Sequence, residues 1–313
     1  MVSALVGVLW RSLKDTTDVC VNLYKVMLPL IIVIKVLSEF DLVHYIAMPL
    51  APLMALMGLP EDLGIVWAVG MVVNLYSALI VFASMLPSLD PLTTGQVSIF
   101  ALVMLYAHSL PIEARIAQQC GLSLIGQLVL RIGLAVAVGI GMHLIFQKTG
   151  WLSDPAVILF SSDKADPRLS EWVLGEVQNL VSIYVIIFAL MLVQRAIDYF
   201  RISRLLELVL RPLLRLLGVS NKAASTIMIG MAMGIIYGSG LIIRAARDGS
   251  LSKRDVFGSV TLMGLAHAII EDTFLMMVAG AHWSVVLVVR SLVAILAAAA
   301  VTRVHIRMHP LEA

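Results

Sequence analysis

The chain has 313 residues, 60% of them hydrophobic and 13% charged, with a mean hydropathy of +0.99, far too apolar for a soluble domain. Its formal net charge of +2 gives no electrostatic footprint for a nucleic-acid partner. Apolar windows of about 20 residues, enough to cross ~30 Å of hydrocarbon as helix, recur along the chain, leave no space for a soluble catalytic domain, and predict an all-α integral membrane protein partnered by the lipid bilayer.

Residues 1–17, with Arg11, Lys14 and Asp15, read as a cytoplasmic amphipathic helix; no small-residue cleavage site follows an apolar run, so it is not a removed signal peptide. A first span covers about 18–38, with Lys35 near its end, and is followed by 39–59, which contains Pro49, Pro52 and Gly58. Next comes an interrupted stretch at 63–86, then a span at 96–114 with His108 and Glu113, then one at 122–146 with Arg131. Residues 147–173, rich in Asp, Lys and Arg, read as a polar extracytoplasmic linker. Cys20 and Cys120 stand alone, with no CxxC or Cys/His spacing, so neither a disulfide nor a zinc site is expected.

The second half replays the first. Lys35 maps to Arg195, Pro52-Leu53 to Pro212-Leu213, Gly58 to Gly218 and Gly70-Met71 to Gly230-Met231, all at an offset of 160. Ala107-His108 then maps to Ala266-His267, Glu113 to Asp272 and Arg131 to Arg290, all at 159. An offset that carries prolines, glycines, histidines and charges together marks a duplication, with repeats at 18–146 and 174–302 and a cytoplasmic tail at 303–313.

Positive-inside counting sets the topology. If 63–86 and its counterpart around 230–249 are re-entrant hairpins, each repeat crosses three times and the second is inverted. Fifteen of the 22 Lys and Arg residues then face the cytoplasm and only Lys35, Lys148, Lys164 and Arg168 face outward; Lys25, Arg131 and Arg290 lie within spans. The expected architecture is therefore two inverted repeats, each of three transmembrane helices, a re-entrant hairpin and an interfacial helix, with both termini inside. The interfacial helices are 198–218, with Arg204, Arg211 and Arg215 on one side, and its counterpart at 39–59.

At membrane depth, backbone groups can be left free of helix only where protein or a water-filled cavity satisfies them. The breaks at Asn74-Leu75-Tyr76-Ser77 and Tyr237-Gly238-Ser239-Gly240 therefore make Asn74, Tyr76, Ser77, Tyr237, Gly238, Ser239 and Gly240 candidates for binding a polar solute at half-helix ends. The bland reading of Gly230, Gly234 and Gly238 is close helix packing through consecutive GxxxG steps. The run Gly-Ser-Gly-Leu-Ile-Ile-Arg-Ala-Ala-Arg at 238–247, followed by a basic loop and another apolar helix, resembles the hairpin of Gate, or nucleoside-recognition, domains. These occur in spore-maturation membrane proteins, in the membrane half of the bacterial ferrous iron transporter and, in related form, in concentrative nucleoside transporters. The resemblance covers roughly 20–145 and 178–302 and implies a bacterial inner-membrane location and a small polar, nucleoside-like solute. The ferrous iron transporter carries Gly-Cys-Asn-Val-Pro at this place; this chain has Ser239, no proline and no P-loop domain.

Ionisable residues within spans cost about 2.5–3.5 kcal/mol each on insertion scales, so they face the protein interior and are functional candidates. In an unbroken helix His267 would stack over Glu271, four residues on, whereas His108 and Glu113 would point about 140° apart unless Pro111 bends the segment. A His–carboxylate pair can relay protons or bind a divalent cation, so His108, Glu113, His267, Glu271 and Asp272 are read as coupling or, alternatively, metal-ligating residues. The competing structural reading pairs Arg131 with Asp272 or Glu271, and Arg290 with Glu113, across the repeat interface.

No nucleophile elbow, HExxH or P-loop pattern is present in the sequence, and no enzymatic activity and no cofactor are expected. The reading is a secondary transporter for a small polar solute, with H+ or Na+ open as the coupling ion and a homo-oligomer open as its assembly. A divalent-metal permease and a non-transporting structural or regulatory protein are the alternatives.

Overall fold

The computed structural model describes residues 2–40, 48–159, 169–199, 217–220, 223–224, 226–228, 231, 240–245 and 248–308. Among these the only regular elements are helices, with one isolated bridge between Thr93 and Pro155. Helix α1 (Val2–Glu39) runs for 38 residues with Pro29 inside it, a length of about 57 Å. It is continuous through positions 17 and 18, so the amphipathic segment and the first span are one rod. Helix α2 (Ala51–Leu56) opens on Pro52 in its first turn and ends at Gly58, in the left-handed region at φ 69°.

The interrupted stretch at 63–86 forms two short helices, α3 (Leu63–Val72) and α4 (Leu75–Met85), joined at Val73-Asn74. Each covers about half of the hydrocarbon thickness, and the two pack against each other. Asn74 explains the restart: its backbone is extended and its side-chain oxygen accepts a hydrogen bond from the amide of Ser77 at 2.8 Å, satisfying a donor that a new helix would leave open. Trp67, Ala78, Val81 and Phe82 from these helices are completely buried.

The span predicted at 96–114 is two helices, α5 (Thr94–Tyr106) and α6 (Leu110–Gln119), and its counterpart is α9 (Lys253–Leu265) and α10 (Ile269–Val278). Between them lie α7 (Leu124–Thr149) and α8 (Leu169–Tyr199), and α11 (Arg290–Met308) follows a π-helical turn at Ser284–Val289. Five stretches among the described residues are long and apolar enough to cross a membrane: 94–119, 124–149, 170–193, 253–278 and 284–307. The two broken ones are 83% and 78% buried, against 22%, 28% and 44% for the others. The broken spans are therefore the centre of the bundle, and the unbroken ones surround them.

Positions 159 or 160 apart share unusual backbone conformations: Gly58 and Gly218 at φ 69° and 67°, Ser109 and Ala268 at 48° and 43°, Gly121 and Gly280 at 87° and 96°. At Gly58 a Cβ would lie 2.0 Å from Nδ1 of the His143 ring, so glycine is needed there for space as well as for φ, whereas at Gly218 the nearest atom is the tip of the flexible Arg254 side chain and φ alone favours glycine.

Residues 150–159 tie one end of the bundle together. The amides of Thr94 and Gly95 donate to the carbonyls of Asp154 and Leu152, each at 2.8 Å, and the Leu159 amide donates to the Val278 carbonyl at 3.1 Å. At the opposite end Gly121, Leu122 and Ser123 share a groove of about 630 Å³ with Phe257, Val304 and His305. The span that starts at Thr94 therefore runs antiparallel to the one that starts at Lys253.

Candidate functional site

Both central spans break at a histidine. In α5–α6 the break is Ala107-His108-Ser109, and in α9–α10 it is Ala266-His267-Ala268, each with a non-glycine residue in the left-handed region. Unwinding releases carbonyls from the helical ladder, and in hydrocarbon these need donors. The arginines supply them. Arg131 Nε donates to the Tyr106 carbonyl at 2.8 Å and Nη2 to the His108 carbonyl at 3.1 Å, while Arg290 Nη2 donates to the His267 carbonyl at 3.1 Å.

The same guanidinium groups hold the carboxylates. Arg131 Nη1 lies 2.7 Å from Glu113 Oε2, and Arg290 Nη2 lies 2.9 Å from Asp272 Oδ2. Each pair lies within its own half of the chain, which corrects the expected pairing of Arg131 with Asp272 or Glu271 and of Arg290 with Glu113. The physical reason is the break itself: the arginine must reach the loop it caps, and the acid in the first turn of the following half-helix is beside that loop. All four groups are buried, with Arg290 and Arg131 at 0% and 2% exposure.

The two histidines meet across the centre. Their rings are 5.2 Å apart, and Nε2 of His108 and Nε2 of His267 each lie 3.5 Å from Glu113 Oε1. On the other side of each ring, Nδ1 faces a backbone carbonyl, that of Met104 at 3.0 Å for His108 and that of Met263 at 2.9 Å for His267. Where stacking of His267 over Glu271 was expected, His267 faces Glu113 and Glu271 accepts from Tyr76, and His108 does approach Glu113. Ideal helical angles fail here because each histidine precedes the start of the next helix. The ligand-capable atoms of His108, Glu113 and His267 all lie within 4.8 Å of one another.

The remaining sequence candidates separate. Tyr76 donates its hydroxyl to Glu271, joining α4 to α10. Asn74 is occupied as the cap of α4, and Ser77 is buried with a hydroxyl that has no hydrogen-bond partner among the described residues. Gly240 is exposed. Tyr237, Gly238 and Ser239 lie outside the described residues, as do 200–216 of the expected interfacial helix.

Three groups at the centre were not picked out from the sequence. Tyr106 is completely buried and donates to the Arg290 carbonyl at 2.9 Å, next to the π-helical turn. Gln127 and Thr261 are buried and hydrogen-bonded to each other at 3.3 Å between α7 and α9. The signal available was position: Tyr106 adjoins the histidine break, and Gln127 is one turn before Arg131 on the same face of α7. Cys120, at the end of α6, has its thiol pushed up by burial to about 11, which leaves it a weak nucleophile and poor ligand at neutral pH.

An all-helical bundle with five stretches fit to cross a membrane and a fully buried cluster of ionisable groups at its centre is the architecture of an integral membrane protein. The chain is similar to an uncharacterized membrane protein, YvoD, of Bacillus subtilis (strain 168), 27% identical over 296 residues and covering 92% of each chain. No family model matches the chain, and no solved structure matches it.

Proposed function

We propose that this protein is a multi-pass secondary transporter for a small polar solute, nucleoside-like by its resemblance to Gate domains, whose movement is coupled to a cation. The observation that carries the proposal is the pair of central spans broken at equivalent histidines. Discontinuous helices whose ends meet charged groups near the membrane midplane are a recurrent construction of transporter binding sites, and ionisable groups buried at that depth are costly and mark functional sites by default. The inverted-repeat reading is supported by the antiparallel course of 94–119 and 253–278 and by the shared backbone conformations at the 159–160 offset. The re-entrant reading of 63–86 is supported by two half-length helices packed on each other.

In this account Tyr76 and Ser77 bind the solute, and the sequence candidates Tyr237, Gly238 and Ser239, outside the described residues, and Gly240 are assigned the same role. Glu271 links that region to the charged centre through Tyr76. The protein occupies the bacterial inner membrane, the location of the Gate proteins it resembles, with both termini cytoplasmic. It needs no chemical step and no resident cofactor. A divalent cation as the cargo itself is the second reading, favoured by the convergence of His108, Glu113 and His267. Uptake by proteoliposomes of a mixed panel of nucleosides, organic anions and divalent metals, followed against pH, tests the proposal. Accumulation of one class by the wild type is expected, and no uptake of any class contradicts it.

A further inference from the structure

We propose that His108, Glu113 and His267 form a binding site for one divalent first-row transition cation such as Zn2+, Fe2+ or Mn2+. The site lies in the same cluster that the transport reading makes its centre and rests on that reading only for its use. Binding itself is measured without transport, so either can fail alone.

The positions of the imidazole hydrogens are fixed by the neighbouring carbonyls. A carbonyl can only accept, so the contacts of His108 Nδ1 with Met104 O and of His267 Nδ1 with Met263 O place a proton on each Nδ1. In a neutral imidazole the opposite nitrogen is then a lone pair. Two such Nε2 atoms and one carboxylate oxygen converge, and three acceptors facing one another repel unless a cation lies between them.

Distance separates the two kinds of cation. A proton shared as N–H···O draws its heavy atoms to about 2.7–3.2 Å. Two ligand atoms each about 2.0–2.1 Å from a tetrahedral ion are instead roughly 3.4 Å apart. Both Nε2-to-Oε1 separations are 3.5 Å. The surrounding contacts are those of a supported metal site: each ligand histidine is held by a hydrogen bond through its other nitrogen, and the second oxygen of the ligand carboxylate is held by Arg131. Imidazole and carboxylate together suit borderline divalent ions over Na+ or Ca2+, which take all-oxygen sites. Glu271 and Asp272 are engaged by Tyr76 and Arg290 and are not ligands.

The test is a Co2+ titration of the purified full-length protein in detergent, followed by visible absorption and competed with Zn2+. One saturable equivalent is expected, weakened at least about a hundredfold in His108→Gln and His267→Gln, weakened on acidification because ligand imidazoles must be neutral, and unchanged in His143→Gln on α7. Glu113→Asp keeps the charge that Arg131 requires and is expected to weaken binding without unfolding the bundle. The absence of a saturable equivalent in the wild type, the result that a proton held at these three atoms would give, overturns the proposal. So does binding in folded His267→Gln equal to that of the wild type.

Discussion

Arg131 and Arg290 each close a break in a central helix and neutralise one carboxylate, and both are buried. Removing one partner of a buried pair leaves an uncompensated charge, which costs about 3–5 kcal/mol. Arg131→Gln is expected to lower stability by that amount in detergent melts, and Arg131→Gln with Glu113→Gln to recover most of the loss. Equal loss in the single and double variants would show that the arginine matters for the carbonyls alone. The arginines, histidines and acids were legible in the sequence because a charge in an apolar run is conspicuous. Their partners were not legible, because pairing from spacing assumes an intact helix, and the geometry here is set by two turns that are unwound.

The breaks themselves belong to the elements. Nothing in Ala107-His108-Ser109 or Ala266-His267-Ala268 is a strong helix breaker, and Pro111 lies in the first turn of α6, where proline is tolerated. Tertiary contacts with the arginines therefore hold the unwound form, a term absent from local sequence. The break at Asn74 was readable, since asparagine is among the best helix caps, and its structure is that of a cap. At Ala268, φ 43° suits glycine and opposes a β-branched side chain. Ala268→Val is expected to be about 1–3 kcal/mol less stable than Ala268→Gly by thermal melt; a valine variant as stable as the glycine one would mean that the turn is free to rewind. Tyr76→Phe removes the link between α4 and α10, worth about 1–2 kcal/mol. It is expected to alter uptake kinetics while leaving Co2+ binding in place, and loss of both together would place Tyr76 within the metal site.

At the scale of the molecule, the recurrence of prolines, glycines and charges at offsets of 159 and 160 was legible in the sequence, and matched backbone angles accompany it. Burial was not legible: hydropathy cannot tell a lipid-facing span from a central one, and the spans with the highest mean hydropathy, 2.5 and 2.1, are only 44% and 22% buried, against 83% and 78% for the broken ones at 1.5 and 1.4. The inverted arrangement predicts that a cysteine placed at Asp90 is labelled from outside the cell and one at Ser250 from inside; labelling of both from one side would refute it. The account rests above all on transport through the histidine breaks. Uptake of the panel solutes into proteoliposomes under an imposed pH gradient, for the wild type and for His267→Gln, tests this most directly. The account predicts accumulation of one solute class by the wild type, with its pH dependence or its uptake lost in the variant. Uptake by neither protein, or identical pH-dependent uptake by both, would contradict it.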